Sequence, residues 1–250
     1  MSGHSKWAGI KHKKAVVDAK RGKLFSKLIK EVTVAARQGG GKPDSNPRLR
    51  LAVNTARAAN MPGGNIERAI KKGTGELPGV SYEEIAYEGY GPGGVAILLE
   101  CLTDNRNRTT AEIRSIFSAK GGNLAGAGSV RWLFEKKGLI IIDKGGVEED
   151  QLTTIALEAG AEDLRIEGKT YEIITKPSNL EEAKKILSQK GINYSVAELT
   201  MDPKNTVKLS GAPARQILSL VEILEDHDDI QHVYANFDIP DQIMDEIGGE

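Results

Sequence analysis

The sequence predicts an α+β protein of three domains, an all-helical N-terminal domain and two ferredoxin-like α/β domains, one inserted in the other. Three observations carry this. Residues 1–76 show helical periodicity and a strongly basic composition. Residues 139–201 alternate strand and helix patterns in the order βαββαβ. A strand–helix–strand pattern before residue 135 is matched by another after residue 206.

The elements follow in order. Residues 1–19 read as a basic arm, ordered or half-ordered. A helix over 20–37 carries Leu24, Phe25, Leu28, Ile29, Val32 and Ala36 on one stripe, with Lys20, Lys23, Lys27 and Lys30 away from it. Gly39, Gly40 and Gly41 end it. A second helix takes Ser45 or Asn46 as its cap and Pro47 in its first turn, and it fades before Pro62. A third spans 65–72 and stops at Gly73, where a linker over 73–79 begins. Residues 95–102 form a strand too apolar for an edge. Thr109 and Glu112 suggest a capping box opening a helix that reaches Lys120. A strand follows at 130–134.

The inserted unit reads as strand 139–143, helix 149–159, strands 163–167 and 171–175, helix 180–189 and strand 194–201, with Ser178 and Glu181 as a second capping box. Residues 207–209 suit a short strand. Pro213 opens a helix with Ile217, Leu220, Val221 and Leu224 on one face, and 233–239 is the last strand. The expected domains are 1–76, a discontinuous 80–135 plus 206–240, and an inserted 136–205. Two α/β domains in simple tandem are the alternative.

Charge sharpens the picture. The chain of 250 residues has a net charge of −1, yet residues 1–76 hold 17 Lys and Arg against five acids, a net +12, and the remainder is −13. Such segregation is expected where one end meets a polyanion. A single cysteine, Cys101, excludes an intrachain disulfide and a thiolate metal cluster. No apolar run is long enough for a membrane span, and no secretory leader is visible, so the expected location is cytoplasmic, with no membrane partner.

Catalytic chemistry is not indicated, and neither a cofactor nor a small-molecule substrate is expected. Gly168-Lys169-Thr170 lacks the earlier glycine of a phosphate loop, and the glycines at 121–128 precede a strand instead of following one. His227 and His232 lie among acids, but their spacing of five does not put both rings on one helical face, so no metal site is assigned. Cys101 sits in an apolar strand where a thiol is inert.

Nucleic-acid binding is indicated. Lys6, Lys11, Lys13, Lys14, Lys20, Arg21, Lys23, Lys27 and Lys30, with His12 among them, form a cationic track suited to phosphates. Trp7 lies within it, either to stack on a base or to staple the arm to the helices. Arg48, Arg50, Arg57, Arg68, Lys71 and Lys72 extend the positive face. The loop carrying Met61, from Asn60 to Asn65, is a probing tip or a stiff turn. Arg106 and Arg108, before a helix N-terminus, make an anion site or pair with acids of their own domain. The acidic α/β domains are expected to face a protein partner, each other or a basic surface.

Several strings are similar to the YebC/PmpR family. They include Gly3-His4-Ser5-Lys6-Trp7-Ala8, Ala59-Asn60-Met61-Pro62, Tyr87-Glu88-Gly89-Tyr90-Gly91-Pro92-Gly93-Gly94 and Thr103-Asp104-Asn105-Arg106-Asn107-Arg108-Thr109. The resemblance covers essentially the whole chain. It implies three domains and a cytoplasmic regulator that binds promoter DNA. Relatives such as the mitochondrial translational activator of cytochrome c oxidase imply the alternative, a ribosome- and rRNA-binding translation factor that relieves stalling at proline runs. Gly63 and Gly64 stand where many relatives carry charge.

Overall fold

In the computed structural model, residues 18–240 and Ile243 are described, the side chains of residues 18–21 and of Glu167 excepted. Residues 1–17, which hold most of the expected arm, lie outside the described residues.

Helix α1 (Asp18–Gly39) packs with α2 (Pro47–Ala58) and α3 (Gly63–Thr74) around Val32, Ala35, Leu49, Ala56, Met61 and Ile66. Leu24, assigned to the apolar stripe, is exposed at the helix's N-terminal end. Asn46 is the cap of α2: its Oδ1 accepts from the Leu49 N–H at 3.1 Å, while its Nδ2 donates to the carbonyls of Ala35 and Gly40 at 2.7 and 2.9 Å. One buried side chain thereby starts α2 and satisfies carbonyls at the end of α1. Gly73 does not stop α3. It lies inside the helix, where a Cβ would collide with the Thr33 carbonyl and the Ala36 side chain.

The first sheet holds β1 (Glu83–Tyr90), β2 (Ala96–Thr103), β3 (Asn123–Ala125) and β9 (Ile230–Ala235) in the order β3-β1-β2-β9. Its central hairpin is antiparallel, with Glu83 opposite Thr103 and Tyr90 opposite Ala96. Strand β2 is apolar except at Glu100 and Thr103, because both faces are covered. Ile97, Leu99 and Cys101 meet Ile113 and Phe117 of α4 (Arg106–Ala119) and Ile217 and Val221 of α7 (Gly211–Asp226). Ala96 and Leu98 meet Val130, Leu133, Phe134 and Met201 on the other side.

The second sheet has the order β5-β6-β4-β7, built from β4 (Phe134–Asp143), β5 (Ala161–Glu167), β6 (Thr170–Thr175) and β7 (Val196–Pro203). Helices α5 (Glu149–Glu158) and α6 (Leu180–Gln189) complete a βαββαβ unit of the expected ferredoxin-like kind. A two-stranded parallel pair, β8 (Val207–Lys208) with β10 (Phe237–Asp238), lies beside the first sheet.

Three sequence expectations are corrected. Helix α4 starts at Arg106, not Thr109, because Asn105 accepts from the Arg108 N–H at 3.1 Å and acts as the cap. At the second proposed capping box, α6 starts after Asn179 with no side-chain cap bond. The expected strand at 130–134 is a short 3-10 turn over residues 131–133, and β1, with its three glutamates, is the strand in its place. The reason is Glu88: its carboxylate accepts from the N–H groups of Val130 and Arg131, which takes those donors away from any ladder. The first sheet consequently has its hairpin at the centre and is not of the ferredoxin-like order.

Candidate nucleic-acid interface

The expected cationic residues separate into three groups. Lys6, Trp7, Lys11, His12, Lys13 and Lys14 fall outside the described residues, and the side chains of Lys20 and Arg21 are not described either.

A second group is engaged within the molecule. Lys23, Lys27 and Lys30, spaced to share one face of α1, all reach the C-terminal end of α7 and the turn after it. Lys23 Nζ donates to the Asp226 carbonyl at 3.2 Å, and Lys27 Nζ donates to that of Glu225 at 2.6 Å. Lys30 Nζ donates to the Asp228 carbonyl at 3.0 Å and to Asp229 Oδ1 at 2.6 Å. Cations at the last carbonyls of a helix satisfy orphan acceptors and oppose the helix dipole.

Asp229 is the hub. It is 2% exposed, and its Oδ2 also accepts from Arg108 and from the Thr109 hydroxyl, both at 2.7 Å. Burial pushes its pKa up, but the bonds from Lys30, Thr109 and Arg108 outweigh that and hold it well below the usual carboxylate range. Arg108 also pairs with Asp104 at 3.0 Å, and Arg106 approaches Glu83 at 3.7 Å. Of the two readings of these arginines, pairing with acids of their own domain matches the geometry.

Arg48 is likewise engaged. It grips Glu31 with two bonds of 2.8 and 3.0 Å and reaches Glu84 on β1 at 2.5 Å, and its pKa is raised chiefly by the Glu31 bond. Gln38 and Arg37 bond Glu84 and Ser81 alongside it.

The third group makes no ion pair among the described residues, although Arg50 donates to the carbonyls of Pro43 and Asp44 at 3.4 and 3.3 Å. Arg50, Arg57, Arg68, Lys71 and Lys72 are exposed, and none has a carboxylate within 4.0 Å among the described residues. Arg50 and Arg57 share a face of α2, and Arg68, Lys71 and Lys72 share one of α3. Between them lies the exposed tip of Asn60, Pro62, Gly63 and Gly64. Asn60 adopts a left-handed φ of 59°, which asparagine tolerates, and the Met61 N–H bonds the Ala56 carbonyl at 2.9 Å. Met61 itself is 5% exposed and belongs to the helical core, so its proposed contact from the tip is corrected.

The residues weighed for other chemistry are also placed. Burial pushes the Cys101 thiol up to about 12, as an inert sulfur requires. His232 stacks on Tyr234, whereas His227 lies beside Glu112 and Asp229. The His227 Nδ1 accepts from the Asp229 N–H at 3.1 Å, and Asp229 is already neutralised by Lys30 and Arg108, an arrangement unfavourable to a cation. Sequence reasoning missed Asp229 and Glu88 as organising carboxylates. The acidic run around 225–229 was the available signal for Asp229, and Glu88 had none.

Residues 5–76 match the model of the TACO1/YebC N-terminal domain, and residues 82–237 match that of the TACO1/YebC second and third domain. The chain belongs to the TACO1/YebC family. A probable transcriptional regulatory protein of Dictyoglomus turgidum is 61% identical over 98% of both chains. A protein of the same description from Syntrophus aciditrophicus is 57% identical over 99% of both. The crystal structure of a conserved hypothetical protein from Aquifex aeolicus superposes with a TM-score of 0.83 at 51% identity, covering 94% of this chain and 97% of that one. No helix among the described residues is long and apolar enough to cross a membrane. The TACO1/YebC helical domain thus presents one basic face to its own acidic partner and another to solvent.

Proposed function

We propose that the protein is a non-enzymatic, cytoplasmic regulator of gene expression that grips DNA through the outward face of α2 and α3. The observation that carries this is the set of five cations, Arg50, Arg57, Arg68, Lys71 and Lys72, left without acidic partners beside an exposed tip. Such a surface contacts phosphates and positions a duplex but reads few base edges. The names of the relatives as probable transcriptional regulatory proteins support the same reading. The arm at 1–17 would add further cations.

Anisotropy titrations of labelled duplex DNA between 50 and 200 mM salt test it. The combined variant R57A/R68A/K71A/K72A should lower the slope of log affinity against log salt by about 3 to 4. A slope equal to that of the unmodified protein overturns the assignment of this face. Crosslinking in cells should yield discrete promoter peaks, and reads dominated by ribosomal RNA overturn the DNA assignment.

A further inference from the structure

We infer that Trp132 is a stacking platform for an unpaired base, giving the α/β body its own contact with single-stranded nucleic acid. This rests on the nucleic-acid reading above and extends it to a surface far from the basic helices in sequence.

The loop before β4 begins with Gly126, Ala127 and Gly128, a composition that favours mobility, yet it is held at several points. Glu88, buried on β1, accepts from Gly128 N–H at 2.7 Å through Oε1, and from Val130 and Arg131 N–H at 2.6 and 2.8 Å through Oε2. Tyr90 donates its hydroxyl to the Ser129 carbonyl at 3.1 Å. Val130 and Leu133 are buried on the sheet. A buried carboxylate with three backbone donors is a costly device for a surface turn. Here it holds two residues, Arg131 and Trp132, in the solvent between buried Val130 and buried Leu133.

Trp132 is 64% exposed, with Val130, Leu133 and Phe134 around it all buried. Those three neighbours are turned into the core and add no exposed apolar surface beside the ring. Its indole N–H already donates to the Ser129 carbonyl at 3.1 Å, so the handle it offers is its π face. Arg131 beside it is exposed, and so is Lys204, whose backbone N–H donates to the Leu133 carbonyl at 2.8 Å. Neither has a carboxylate within 4.0 Å among the described residues. A fixed aromatic face flanked by exposed cations matches a base with its phosphates. Bases of an intact duplex are already stacked, so the partner is a single strand.

The chain has two tryptophans, Trp7 and Trp132, so the W7F variant reports Trp132 emission alone. The probes are a 12-nucleotide single-stranded DNA without self-complementarity and the same sequence as a duplex. The single strand should quench Trp132 and the duplex should not. W132A should weaken single-strand affinity roughly 5- to 100-fold, W132F should restore most of it, and duplex affinity should change less than twofold. Single-strand binding by anisotropy with unchanged Trp132 emission overturns this inference and leaves the basic-face reading standing. Equal losses for both probes in W132A also overturn it. A concentration-dependent blue shift without nucleic acid assigns the ring to self-association instead. If the unmodified protein binds neither probe, both readings fail.

Discussion

Asp229 shows how one carboxylate organises a junction. Its side chain is 3% exposed and that of Lys30 13%, so this ion pair is far drier than Lys23 with Asp226, where both side chains are about half exposed (49% and 55%). Removing one member of a buried pair leaves the other charge uncompensated, and D229N should cost about 3 kcal/mol at neutral pH. The sign of the pH effect follows from the lowered pKa. A carboxylate held below its unfolded value stabilises the fold above about pH 4, and that contribution is lost as pH falls through the lower folded value. Urea unfolding at pH 7, 4 and 3 should therefore show a steeper acid loss for the unmodified protein than for D229N. Parallel acid limbs would show that Asp229 is not the linked group.

Among the elements, α1 and α3 meet more closely than their sequences suggest. Gly73 lies where the Thr33 carbonyl and the Ala36 side chain leave no room for a Cβ. In an exposed helix, glycine to alanine would gain about 1 kcal/mol. Here the clash reverses the sign, and G73A should destabilise by about 1–3 kcal/mol in thermal or urea unfolding. Reading Gly73 as a helix stop was reasonable from sequence, because a stop and a close approach use the same residue. The helices of the βαββαβ unit were legible to within a residue, since a 3.6-residue apolar stripe needs no knowledge of neighbours. Strand β1 was not legible. Glu83, Glu84 and Glu88 break its alternation, and Glu88 is buried only because a distant loop supplies three N–H donors.

Across the whole molecule, the opposed charges of the two parts are used twice. The lysine face of α1 closes on the end of α7 and Arg48 of α2 on Glu31 and Glu84, while Arg50 and Arg57 of α2 and Arg68, Lys71 and Lys72 of α3 remain outward. Because Lys30 with Asp229 is the buried contact, K30A should loosen the helical part from the sheet far more than K23A does. Limited proteolysis checks this: cleavage within 75–81 should accelerate in K30A and stay near the unmodified rate in K23A. Equal protection in both variants would place the joint's stability elsewhere, with Arg48 and Glu84 the next contact to remove.

Sequence alone settled the helical character of residues 20–72, the βαββαβ order within 139–201, the apolar centre at β2 and the segregation of charge. Each of these is a local pattern or a count, and it survives whatever the pattern packs against. Tertiary structure decided which lysines are free. Lys23, Lys27 and Lys30 look identical to Lys71 and Lys72 in a one-dimensional reading, because a charge has no visible partner until the chain is folded. It also turned Met61 inward and Trp132 outward, since burial depends on what the opposite surface supplies. The +12 of the first 76 residues remains the main indication of a polyanion partner. The fold divides that charge between a joint within the protein and a face open to solvent.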